Sequence, residues 1–67
     1  MDKHYNIQLI DNYLLVNNLS KKDFCLEINI DMNDLLKIYE NNFDVSIICL
    51  YKIVNKLNIK ASDFLIY

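Results

Sequence analysis

Sixty-seven residues, 54% of them hydrophobic, form one small domain near the size where a single core just holds a fold, and they leave no room for a second domain. Nine acids against seven lysines, with no arginine, give a net charge of −2 and an isoelectric point near 5.0. That balance runs against the basic surface usual in nucleic-acid binders, and the apolar content argues against a disordered chain.

With neither glycine nor proline present, the breaks between elements must come from other residues. Asparagine tolerates left-handed backbone angles better than any other non-glycine residue, which places the breaks at Asn17-Asn18, Asn29, Asn41-Asn42 and Asn58. Five segments result. The first, Tyr5 to Val16, carries Ile7, Ile10, Tyr13 and Leu14 at helical spacing, and Leu9, Leu15 and Val16 widen its apolar face. The second opens on Ser20-Lys21-Lys22-Asp23, a capping pattern in which Ser20 accepts from backbone amides and Asp23 sits in the positive first turn, with Phe24, Cys25 and Ile28 facing inward. The third is capped by Asp31, has Asp34 in its first turn, turns Leu35 and Ile38 inward and ends near Glu40. The fourth runs from Ser46 to about Leu57, with Ile47, Leu50, Ile53, Val54 and Leu57 inward. The fifth, Ala61 to Ile66, is anchored by Phe64 and Leu65. Period-two alternation is confined to Glu27–Asp31, so the expected fold is all-α and five-helical.

Between Ser20 and Glu40 the pattern is two short helices joined by a tight turn at Asn29-Ile30, with small Cys25 where they cross: a helix-turn-helix, whose second helix can enter a major groove. From Leu19 to Leu65 the chain resembles, without a gap, the Cro/CI-type (Xre family) helix-turn-helix regulators with their lambda-repressor-like domain. The family's opening is matched by Leu19-Ser20-Lys21-Lys22-Asp23-Phe24-Cys25 and its Gly-Val-Ser turn by Asn29-Ile30-Asp31. The closing pattern is matched by Val45-Ser46, Leu50-Tyr51-Lys52-Ile53, Leu57-Asn58-Ile59 and Asp63-Phe64-Leu65. Departures are Tyr39 for an acid, Val45 for proline, Asn29 and Asn41 for glycines, and Asp34 for a small polar residue, the last expected to weaken DNA binding.

The resemblance implies a sequence-specific, DNA-binding transcriptional regulator, such as a repressor, acting as a homodimer. It implies base contacts from Met32, Asn33 and Lys37 and backbone contacts from Lys21, Asn41 and Asn42. The chemistry agrees in part: an asparagine amide suits adenine, a lysine suits guanine or a phosphate, and Met32 suits a thymine methyl, so a double-stranded, A·T-rich palindromic operator is expected. In the family the C-terminal helices commonly pair the subunits. Here Ile48 and Cys49, off the inward face of the fourth segment, and Ile66 and Tyr67, past the anchor of the fifth, are the expected dimer interface.

Four acids and one lysine between Asn29 and Asp44 make this helix a poor match for phosphates. The alternative is therefore a helix-turn-helix-derived interaction protein, such as an antirepressor that pairs with a related regulator. No enzyme, cofactor or metal site is expected: His4 is the one histidine and lies near a fraying terminus, and Cys25 and Cys49 lack zinc-type spacing and read as free buried thiols. The longest apolar run, Ile47 to Tyr51, is too short for a membrane, no secretory signal is visible, and cytoplasmic residence follows, with a low-GC bacterium or phage as source on the Ile, Asn and Lys bias.

Overall fold

Four asparagines do the work that glycine does elsewhere. In the computed structural model, which describes residues 3–66, Asn18, Asn29, Asn41 and Asn58 all adopt positive φ, between 53° and 61°. Each stands just past the end of one of the first four helices, at the four breaks expected. The helices are α1 (Ile7–Val16), α2 (Lys21–Ile28), α3 (Met32–Tyr39), α4 (Ile47–Leu57) and α5 (Ala61–Phe64). The N-termini of α2, α3 and α4 are closed by side chains: Ser20 and Asp23 form a reciprocal capping box, Asp31 Oδ1 accepts from the Asn33 amide at 2.8 Å, and Ser46 Oγ accepts from the Cys49 amide at 3.2 Å.

The fold is mostly helical, but it is not all-α. Two short antiparallel strands, β1 (His4–Tyr5) and β2 (Leu65–Ile66), pair His4 with Ile66 and Tyr5 with Leu65. α1 accordingly starts at Ile7, α5 stops at Phe64, and His4 belongs to a strand instead of a frayed end. The strand forms because Tyr5 is wanted in the core. Its ring is 2% exposed, stacks on Phe43 at 4.2 Å and meets Phe64 at 5.4 Å, while its hydroxyl donates to the Asn42 carbonyl. The Asn6 amide then donates to the Phe64 carbonyl at 2.7 Å. Along the other edge of β1, the Asn41 side chain acts as a neighbouring peptide group would, accepting from the Tyr5 amide at 3.0 Å and donating to the Lys3 carbonyl at 3.1 Å.

The core joins Tyr5, Ile10, Leu14, Phe24, Cys25, Leu35, Ile38, Cys49, Ile53, Val54 and Phe64. Most expected inward residues are there or packed against it. Ile47 is a correction, at 63% exposure. It is the first residue of α4, and the core side of that helix passes through Cys49 and Ile53, one turn apart, leaving Ile47 on the opposite flank. For the same reason Leu15 and Val16, at the end of α1, extend into solvent past Ile10 and Leu14. No helix among the described residues is long and apolar enough to cross a membrane.

The left-handed asparagines allow a direct check. Glycine at Asn29 or Asn58 should raise stability in urea unfolding by a few tenths of a kcal/mol, and alanine should lower it by about 1 kcal/mol, because a Cβ is strained at positive φ without the local hydrogen bonding that asparagine offers. Equal effects of glycine and alanine would refute this account of the helix ends.

Candidate nucleic-acid interface

α2 and α3 are held as one unit by the turn between them. The amides of Asn29 and Ile30 both donate to the Cys25 carbonyl, ending α2 in a left-handed cap. Cys25, small and 4% exposed, lets the helices approach closely, and its thiol lies 3.7 Å from the Met32 sulfur. From α4, Lys52 Nζ donates to the Asn29 carbonyl at 3.0 Å, and Lys56 pairs with Glu27 at 3.0 Å. The partly exposed Lys56–Glu27 pair adds little energy but reinforces the seat of α2.

With Leu35 and Ile38 fully buried, the opposite side of α3 carries Asn33, Leu36 and Lys37, with Glu40 at its C-cap. The expected base readers separate here. Asn33 is exposed, and half-buried Lys37 lies one turn along the same side. Met32 is half-buried against the core and the Cys25 thiol, so it lies off that side. Leu36, 43% exposed between Asn33 and Lys37, takes the central apolar place. Sequence reading missed it, although inward Leu35 and Ile38 already imply an outward residue 36.

The expected phosphate contacts are largely engaged within the chain. Lys21 Nζ sits 4.1 Å from the centre of the Tyr39 ring, and the Tyr39 hydroxyl donates to Asp11 at 2.6 Å. This run of contacts ties α1, α2 and α3 together and accounts for a tyrosine at position 39. Asn41 uses both ends of its amide on β1, and Asn42 Oδ1 accepts from the Asp44 amide. Lys3 lies over Phe43. No ion pair or ring contact among the described residues engages the ammonium groups of Lys22 and Lys37. Lys22, exposed in the first turn of α2, is thus the phosphate candidate that the residue-by-residue resemblance passed over.

No family model, curated protein or solved structure matches this chain. The resemblance to Cro/CI-type regulators rests on the residues that carry it.

The expected dimer residues also divide. Ile48 is 66% exposed. Cys49 is a correction: at 4% exposure it belongs to the core, because its position one turn before Ile53 points it inward. Ile66 is half-buried and its backbone pairs with His4, and Tyr67 lies outside the described residues. Beside Ile48, an apolar groove of about 90 Å³ opens between α4 and α5, lined by Ile47, Leu50, Tyr51, Val54, Ala61, Phe64 and Leu65. Among the described residues, no group of three or more His, Cys, Asp or Glu side chains is placed to hold a metal ion.

Both thiols are protonated at neutral pH. Burial, and then Asp31 and Asp34, raise Cys25; burial, and then Asp34, push Cys49 up to about 11. At pH 8 neither should react with a disulfide reagent in the native protein, and both should react once urea unfolds it. Rapid native modification of Cys49 would remove it from the core. Tyr39 is raised as well, by burial and then by its bond to Asp11. The unfolded phenol ionises first, so the stability Tyr39 contributes is complete below about pH 10 and is lost as pH rises beyond it. Tyr39→Phe should lower stability by about 1 kcal/mol at pH 7 and remove the decline above about pH 10; unfolding curves unchanged both at pH 7 and above pH 10 would show the Asp11 bond to be idle.

Proposed function

We propose that α2, the turn Asn29–Asp31 and α3 form a DNA-binding helix-turn-helix of the Cro/CI type, and that the protein is a sequence-specific transcriptional regulator reading the major groove with the outward side of α3. One observation carries this reading: Asn33, Leu36 and Lys37 lie together on the exposed side of a helix whose other side is buried and whose approach angle is held by a three-residue turn. The Asn33 amide can pair with the N6 and N7 edge of adenine, Leu36 can contact a thymine methyl in place of Met32, and Lys37 can reach guanine or a phosphate. Adenine and thymine dominate that set, so an A·T-rich half-site follows.

Affinity per subunit is low by construction. Lys22 and Lys37 supply the positive charge nearest this side, while Lys21 would have to leave Tyr39 to join them. With two or three phosphates neutralised, the logarithm of the binding constant should fall with the logarithm of salt at a slope of about −2 to −3 per subunit.

A second reading has its own observation. Leu36 stands at the middle of an outward side on which Lys37 is balanced by Glu40, a composition that equally suits a protein surface, as in an antirepressor that covers a related regulator's reading helix.

Selection of duplexes from a randomised pool at low salt decides between them, run in parallel with an Asn33→Ala/Lys37→Ala variant. The expected outcome is an enriched A·T-rich motif that is lost in the variant, each lost base contact costing about 1–3 kcal/mol. No enrichment at low salt by a folded protein would overturn the DNA reading and leave the protein-binding one.

A further inference from the structure

Sulfur meets sulfur where α2 and α3 cross. The Cys25 thiol donates to the Met32 thioether at 3.7 Å, with Cys25 in the middle of α2 and Met32 the first residue of α3. The two differ in access. Cys25 is 4% exposed, whereas Met32 is half-buried and packs against the core from its edge. The carboxylates of Asp31 and Asp34, which flank Met32 in sequence, are near enough to disfavour the Cys25 thiolate. Cys25 therefore lies beneath the first turn of α3, and Met32 is part of its cover.

Access and ionisation together decide which sulfur an oxidant takes. A thiol reacts with peroxide as its thiolate, and burial holds both Cys25 and Cys49 protonated at neutral pH. A thioether needs no ionisation, and its contact with the thiol leaves a second lone pair on the Met32 sulfur. We propose that Met32 is an oxidation site for small peroxides, and that its oxidation loosens the joint between α2 and α3 and unmasks Cys25. The thioether sulfur attacks one peroxide oxygen and the O–O bond breaks. Sulfur keeps that oxygen as a sulfoxide, and the oxygen's proton goes to the departing hydroxide, which leaves as water; sulfur is oxidised and the peroxide reduced. The product is polar, with a strong hydrogen-bond acceptor. In its seat Met32 has apolar neighbours and one thiol, a weak donor, so an acceptor buried there costs more than one in water. The oxidised side chain turns out to solvent, and the small residue that sets the approach of α2 and α3 loses its cover. Reduction of the sulfoxide by a methionine sulfoxide reductase restores the thioether. None of this depends on α3 reading DNA; if it does, the change reaches Asn33, the next residue along.

Dilute hydrogen peroxide on the full chain at neutral pH tests this, with each added oxygen placed by mass spectrometry of peptides. After removal of the peroxide, a disulfide reagent reports the two native thiols separately. The expected result is a sulfoxide at Met32 while both cysteines stay thiols, and a reaction of Cys25 faster by about tenfold with Cys49 unchanged. A methionine sulfoxide reductase should return Cys25 to its slow rate. Met32→Leu, which conserves volume and so keeps the fold, should take oxygen at Met1 alone and leave Cys25 slow. Oxygen on Cys25 or Cys49 ahead of Met32, or a Met32 sulfoxide with Cys25 as slow as before, overturns the proposal. So do equal gains at Cys25 and Cys49, which would mean that the whole domain opens and not the joint.

Discussion

Every change of direction in this chain has to be made without glycine. A helix that ends in a left-handed residue needs one that bears positive φ, and here the requirement falls on Asn18, Asn29, Asn41 and Asn58. The consequence reaches past the backbone. Asn29 ends α2 so that two amides converge on the Cys25 carbonyl and leave its own carbonyl for Lys52, which fixes α3 relative to both α2 and α4. Asn41, in the same backbone state, also has a side chain, and that amide closes the free edge of β1. Glycine at position 41 would supply the turn but not the edge.

Tyr5 links the remaining parts. Its ring joins Phe43, in the loop after α3, to Phe64, at the end of α5, and its strand pairing brings the two described ends of the chain side by side. In a domain this small the core has few layers, and a residue from the N-terminal segment completes it. The segment that follows the proposed reading helix and the segment that walls the apolar groove therefore rest on a single aromatic side chain.

Charge is distributed by the same economy of parts. Four of the seven lysines, Lys3, Lys21, Lys52 and Lys56, make ring, carbonyl or carboxylate contacts within the chain. On the proposed reading, a surface depleted in this way relies on the geometry of a few side chains to recognise bases and draws little affinity from phosphates.

Periodicity and capping chemistry are local, and they were legible. The five helices, their four asparagine breaks, the Ser20–Asp23 box, the Asp31 cap, the start of the fourth helix at Ser46 and the burial of Leu35 and Ile38 all follow from residues within one or two turns of each other. The outward side of α3 was legible by the same rule, for Asn33 and Lys37. What sequence could not supply was whatever depends on how separate elements pack against one another. The β1–β2 pair is too short to show alternation and exists because Tyr5 reaches Phe43 and Phe64. The engagement of Lys21 by Tyr39, of Asn41 by β1 and of Met32 by Cys25 depends on how helices cross, as does the rotation of α4 that buries Cys49 and exposes Ile47. By itself, then, the sequence determined where helices start, stop and turn their apolar sides, because those are short-range choices of the backbone. Tertiary structure decided which polar groups stay available to a partner, because that is settled by the long-range contacts that claim the others.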